Sequence, residues 1–283
     1  MLRLALILLV MVSVTSVALA YPVPRELLAH CVGCDLHGVD LRGRDLHGIE
    51  LVGANLERAD LRGADLHDTH FTGVNLREAN FDNANLTNAK FTGSALTGAT
   101  FSGANLSGVE LVGVRLNQAT IDSLGGLRGV MRSCTGCDLR DIALRGRDLS
   151  DVRFTGVDLN GSDITNSRFL RARLIGTTFR RADGRHTDFT DAVLVGADFR
   201  NATLQSALFR NAILCVPSIT ENDGSRIEGE TRCTDFAGAN LRDADLRGAR
   251  FCHSGEGDFR DCRPVTADEL RTLAHANLSG VLL

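Results

Sequence analysis

The 283-residue chain has no tryptophan, one tyrosine, three methionines and four prolines. So few large aromatics are unusual in a chain that is 43% apolar, because a globular core normally leans on them. Four prolines beside 29 glycines exclude collagen and proline-rich disorder. An excess of one charge is missing too. The formal net charge of -4 excludes a strongly basic nucleic-acid-binding protein and is too small for a polyanion. No nucleophile–base constellation is visible, and the glycines follow a repeat rather than a phosphate loop. The G-x-S-like run from Gly103 to Ser107 lies inside that repeat, not at a strand-to-helix elbow. The sequence therefore gives no reason to expect an enzyme or a cofactor.

Apart from residues 1–20, no apolar run is long enough to span a membrane. That opening segment has Arg3, an apolar stretch from Leu4 to Ala20, and the small-x-small ending Ala18-Leu19-Ala20. It reads as a signal peptide cleaved before Tyr21, so the chain is expected to be exported, to a periplasm or outside the cell. An uncleaved anchor is the alternative, but Ser13, Thr15 and Ser16 interrupt a stretch already short of the ~20 residues a spanning helix needs. The first cysteine is Cys31, too far on for lipid attachment at the cleavage site.

What is present is a period of five. From Leu36 to Ile121 every fifth residue is large and apolar, eighteen times in succession, and two residues before each centre except Leu46, which follows Arg44, stands a small or branched one, Ala or Val in thirteen cases. Runs such as Ala54-Asn55-Leu56 and Ala104-Asn105-Leu106 show the unit. A second array of sixteen units runs from Leu139 to Leu214, broken only by Gly184, and a third holds Phe236, Leu241, Leu246 and Phe251. Neither a 3.6 nor a 2.0 period fits, so neither an amphipathic helix nor a plain strand explains the pattern.

Tandem Ala-Asp/Asn-Leu-x-x closely resembles the pentapeptide-repeat family, over most of the chain beyond the leader. The resemblance implies an all-β fold, a right-handed quadrilateral β-helix with four pentapeptides per coil and both apolar positions inward. Expected core centres include Leu36, Leu56, Phe71, Phe91, Phe154, Phe199 and Phe236. Coils that cannot bury their own centres are stabilised by stacking. A twenty-residue period is visible without the family name. Val52, Thr72, Thr92 and Val112 on the fourth side, and Thr155, Ile175 and Val195 in the second array, are β-branched and each precedes a glycine. Such columns suit a strand-like ladder.

The two arrays are related by an offset of 103: Cys31-Val32-Gly33-Cys34-Asp35-Leu36 becomes Cys134-Thr135-Gly136-Cys137-Asp138-Leu139. Since 103 is not a multiple of five, the second array is expected to restart, giving two tandem modules with short helical caps. Residues 21–121 read as a cap segment plus the first β-helix, 122–133 as a linker or cap, and 134–214 as the second β-helix. Residues 215–283 read as a further coil at 233–252 with cysteine-bracketed loops, a short helix from Asp268 and a last coil. Arg44 and Arg147 fall at nominally inward positions, where each is expected to cap carbonyls at a shaft end.

Eight cysteines behind a signal peptide favour disulfides, and local pairing is expected: Cys31–Cys34, Cys134–Cys137, Cys215–Cys233 and Cys252–Cys262. Residues i and i+3 of a tight turn lie under ~7 Å apart, at the edge of disulfide reach. Buried free thiols are the alternative. A haem site fails because Asp35 and Asp138 follow the pairs. A zinc site shared by both pairs would have to cross on the order of 20 Å of stacked coils against a ~2.3 Å bond. A redox motif belongs at a helix N-terminus, whereas each pair here precedes a β-coil.

On the outer faces, His47 and His67 follow centres on one side, twenty residues apart, with Asp45 and Asp65 just before those centres. These four could together hold a divalent metal, or form a solvated face of His–Asp hydrogen bonds. Charge is uneven: net -4 over residues 31–121, +3 over 131–214 with Arg140, Arg180 and Arg200 on one side, and -4 over 215–283. A mixed surface, a head-to-tail contact or an anionic ligand would each account for that.

The functional expectation is an exported, non-enzymatic structural or interaction scaffold with a protein partner in the exported compartment, no nucleic acid and no stable membrane insertion. One alternative, also from the resemblance, is a DNA-mimicking, topoisomerase-binding protein, which requires a cytosolic and continuously acidic rod. Another is a cysteine-based redox or His/Asp metal-binding protein.

Overall fold

A pentapeptide with one large and one small apolar residue can bury both only if the chain turns a corner every five residues. The computed structural model describes residues 24–29, 31–124, 133–220, 226–252, 262–266, 268 and 278–283. In it the chain winds as a right-handed four-sided β-helix, the fold expected from the repeat. The corner lies two residues past each centre and requires a left-handed backbone. Gly53 takes φ 62° there without strain, while Asn88 holds φ 58° at an equivalent corner, a conformation asparagine tolerates.

The fourth side carries the strands: β1 (Glu50–Val52), β2 (His70–Thr72), β3 (Lys90–Thr92), β4 (Glu110–Val112), β5 (Ser133–Thr135), β6 (Arg153–Thr155) and β7 (Arg173–Ile175). They form one parallel sheet in sequence order, with Val52, Thr72, Thr92 and Val112 in register. These are the β-branched columns seen in the sequence. The other sides pair by single bridges, such as Asp35–Asn55–Asn75 on the first.

Inside, the centres fill the shaft. Leu56, Phe71, Phe91, Phe154, Phe199 and Phe236 are all buried, Leu56 and Phe71 completely. Leu36 is only half-buried, because it belongs to the first coil and has a neighbouring coil on one side alone. Phenylalanines stack coil on coil, Phe71 over Phe91 at 4.7 Å and Phe81 over Phe101 at 5.0 Å, and the columns meet edge to face. A shaft lined this way explains the missing tryptophan: two flat rings already meet across it. Gly184 leaves no void, since Ile164 and Leu204 from adjacent coils lean into its place.

The restart between arrays is not a break in the stack. Leu111 pairs with Cys134 and Arg115 with Asp138, 23 residues on rather than 20, so the first and fourth sides run straight through. The second and third sides are interrupted, between Thr100 and Ala143 and between Asn105 and Asp148. Helix α2 (Gln118–Ser123) lies in the interrupted coil, with Thr120 and Ile121 buried. The helix therefore begins before the expected linker. At the N-terminal end, α1 (Arg25–Leu28) buries Leu28 against the first coil. Later, β8 (Ile213–Thr220) and β9 (Arg226–Cys233) form an antiparallel hairpin, after which the coils resume with Phe236 stacked on Phe199 at 5.4 Å. β10 (Arg250–Cys252) joins β8 in parallel and β11 (Cys262–Pro264) in antiparallel pairing. The signal peptide, the turn at 221–225, the loop at 253–257 and the C-terminal helix beyond Asp268 lie outside the described residues.

Candidate functional site

The repeat places residues before and after each centre on the outer faces, one coil apart, so chemistry on this molecule is a matter of columns. On the third side the column begins Asp45-Leu46-His47 and Asp65-Leu66-His67. The ring Nδ1–H of His47 donates to Asp45 Oδ1 at 2.5 Å, and that of His67 to Asp65 Oδ1 at 2.8 Å. The two imidazoles stack in parallel, 4.8 Å between centroids and 3° between planes. The hydrogen bond to Asp65 raises the pKa of His67, with Asp68 and Asp45 adding to it, and the bond from His47 lowers that of Asp45. All four residues thus come together, but as two His–Asp pairs rather than four donors converging on one point. Among the described residues no group of three or more His, Cys, Asp or Glu is placed to hold a metal ion.

Local cysteine pairs stand at bonding distance: Cys31 with Cys34, Cys134 with Cys137, and Cys215 with Cys233. The first two open successive arrays. The third closes the neck of the β8–β9 hairpin, where the two residues are registered opposite each other. Cys252 and Cys262 are likewise opposed across β10 and β11, while their side chains lie outside the described residues.

The first-side arginines of the middle region do not form an open basic face, whereas Arg153 and Arg173 stand in register on the fourth side. On the first side Arg115 and Arg140 both reach Asp138, at 2.6 and 2.8 Å, and Arg180 and Arg200 both reach Asp198, at 2.5 and 2.7 Å. Arg200 also lies 3.4 Å from Asp235. Burial alone would raise the pKa of Asp198, but the Arg200 side chain and backbone N–H, with Arg180, outweigh it and hold the carboxyl at about 2. The bond from Arg140 likewise depresses Asp138. Elsewhere the same Asp-x-Arg unit recurs: Arg42 grips Asp40 and Arg247 grips Asp245. The signal for these pairs was present as Asp40-Leu41-Arg42, but its i, i+2 geometry depends on the flat side between corners.

One shaft-end arginine acts differently from expectation. Arg147 pairs with Asp122 of α2 at 2.9 Å instead of a carbonyl, because α2 stands where an open coil edge would otherwise be. At the N-terminal end Arg25 supplies a carbonyl cap, donating to the His47 oxygen at 2.5 Å. Sequence reasoning also missed the polar side of α2. Gln118 donates to the Ala143 oxygen and accepts from its N–H, reproducing with a side chain the bonds a coil would make. Thr120 Oγ1 accepts from Gly98 N–H and donates to the Leu96 oxygen. A cavity of about 10 Å³ lies beneath the helix, lined by apolar residues such as Phe91 and Phe101 with Thr120 at its edge.

Family profiles agree with this architecture. The profile described as "Pentapeptide repeat region" matches residues 44–121, and "Pentapeptide repeats (8 copies)" matches residues 133–169, 167–205 and 232–254. No curated protein matches the chain in sequence. Among solved structures, it is similar to HetL, a pentapeptide repeat protein involved in heterocyst differentiation regulation from the cyanobacterium Nostoc sp. strain PCC 7120. That likeness is 28% identical, covers 78% of this chain and 90% of HetL, and has a TM-score of 0.45. Rfr23 from the cyanobacterium Cyanothece 51142 is 24% identical over 50% of this chain and 92% of its own, with a TM-score of 0.32. Full-length QnrB1, a plasmid-mediated fluoroquinolone resistance protein, is 17% identical over 89% of this chain and 92% of its own, with a TM-score of 0.23.

Proposed function

From the premise that this chain belongs to the pentapeptide-repeat family, we propose that it is an exported, non-enzymatic scaffold whose outer columns bind a protein partner. The observation that carries the reading is the division of labour along the shaft. Inward positions are filled by Leu, Phe and Ala, and outward positions present fixed columns at one-coil spacing. Such a rod offers a partner rigid, repetitive faces whose side chains are already held by neighbours, which limits the ordering entropy lost on binding. Export is supported by the leader ending Ala18-Leu19-Ala20 and by cysteines placed for three disulfides in the described residues.

Topoisomerase binding by DNA mimicry fits less well. It needs a continuous acidic face, and the first side interleaves Arg115, Arg140, Arg180 and Arg200 with its aspartates. The test is fractionation of the native host followed by N-terminal sequencing and chemical cross-linking. The proposal expects a chain starting at Tyr21, outside the cytosol, in a saturable complex. An uncut cytosolic chain would revive the topoisomerase reading, and an exported chain with no complex would end the scaffold reading.

A further inference from the structure

The fourth side differs from the first in what its outward columns leave unsatisfied. On the first side Asp138 and Asp198 each hold two guanidiniums of the same rod. On the fourth side the residue after each centre is β-branched. Val52, Thr72, Thr92, Val112, Thr135 and Thr155 form a flat row over β1–β6, each exposed or half-buried. Next in the same column Ile175 and Val195 are 5% and 1% exposed although they hold outward positions, so the open stretch ends at β6. The residue before each centre carries the charge. From β1 to β6 it reads Glu50, His70, Lys90, Glu110, Ser133 and Arg153, acidic at one end and basic at the other. Lys90 and Glu110 lie 3.2 Å apart at the middle. Glu50 and Arg153 are exposed and have no ion-pair partner among the described residues.

Such a row complements itself when reversed. We propose that the fourth side is the face of an antiparallel two-fold dimer, with β1–β6 of one copy of the chain lying against β6–β1 of another. A two-fold axis lying in the face and perpendicular to the shaft turns the second copy end for end and sets each column against its own copy. With the axis between β3 and β4, Glu50 meets Arg153, His70 meets Ser133 and Lys90 meets Glu110, each pair twice. Neighbouring registers oppose like charges, which is unfavourable. An axis on β3 sets Lys90 against Lys90, and one on β4 sets Glu110 against Glu110. An axis between β2 and β3 sets Glu50 against Glu110, and one between β4 and β5 sets Lys90 against Arg153. The favoured axis also puts Thr72 against Thr135, where the hydroxyls can exchange hydrogen bonds, and Val52 and Val112 against the methyls of Thr155 and Thr92. β-Branched side chains have little rotamer freedom to lose on docking. Six strands at sheet spacing span only ~24 Å. A face so short and one pentapeptide wide belongs with interfaces under ~1,200 Å² in total, so the dimer is reversible. It does not depend on the scaffold reading, which concerns a different protein.

The experiment is sedimentation velocity of the full chain at low ionic strength over a range of concentrations. A monomer–dimer equilibrium is expected, shifted toward monomer by high salt. Lys90 and Glu110 are 43% and 57% exposed, so their charges can be reversed without disturbing the shaft, which unchanged circular dichroism checks. Lys90→Glu alone and Glu110→Lys alone should each weaken the dimer by about tenfold or more, because like charges then face each other twice. The two variants mixed should recover the dimer as a heterodimer, and the chain carrying both changes should recover it with itself. A chain that stays monomeric at every concentration, or a dimer that both single variants keep, overturns the proposal. Loss in both variants with no recovery on mixing overturns the antiparallel register.

Discussion

Gly184 occupies a centre position with no side chain, yet the shaft is full there. A Cβ built on it would lie 2.8 Å from Leu204 Cδ2 and 3.4 Å from Ile164 Cδ1. Restoring the repeat with Gly184→Leu is therefore expected to destabilise, by about 1–3 kcal/mol of overpacking, in urea unfolding. A variant more stable than the parent would mean a void was there after all. The sequence shows the missing side chain but not the neighbours that lean in, because that filling is a property of three coils together. Asp198 offers a second test at this scale. Its folded pKa of about 2 is below the ordinary 3.8, so its contribution is complete above pH ~4 and is lost as the pH falls through ~2. The side chain is only 12% exposed, and the shift corresponds to roughly 2 kcal/mol. The stability gap between the parent and Asp198→Asn should narrow by about that much between pH 6 and pH 2. A gap unchanged over that range would show that the Arg180 and Arg200 bonds add nothing.

Among the elements, the fourth-side strands were legible and α2 was not. Val52, Thr72, Thr92 and Val112 announce a ladder through β-branching every twenty residues. Helix α2 hid inside the repeat because Ile121 is buried where the eighteenth pentapeptide centre would be, so the period of five continues into a helix. Its Asn117 N-cap, which accepts from Thr120 N–H at 3.0 Å, was a local signal available in the sequence. Thr120 is fully buried and serves both Gly98 N–H and the Leu96 oxygen. Thr120→Val removes both bonds from a fully buried site, leaving Gly98 N–H with Asn117 Oδ1 at 3.3 Å and the Leu96 oxygen with Ala99 N–H at 3.0 Å, and is expected to lower stability by about 1–3 kcal/mol. Gln118→Ala faces an exposed Ala143 that water can serve, so the loss should be about 1 kcal/mol or less. Equal effects from the two would argue against the helix as a hydrogen-bonding substitute for the missing coil sides.

At the scale of the whole molecule, the first and fourth sides make one rod of what the offset of 103 divides into two arrays. The junction was illegible because stacking depends on how a helix absorbs extra residues, which no period reveals. Charge was legible in sum but not in arrangement: on the first side the positive middle region resolves into arginines already paired with aspartates. The scaffold account makes these outer columns the working surface. It is tested most directly by placing a photo-crosslinking amino acid, one position at a time, at outward sites around the rod in the native host. The account predicts covalent capture of one partner from positions on a single side, recurring at about twenty-residue intervals, such as Thr72 and Thr92 or Arg180 and Arg200. Capture from no outward position, or from positions scattered without that interval, would contradict it.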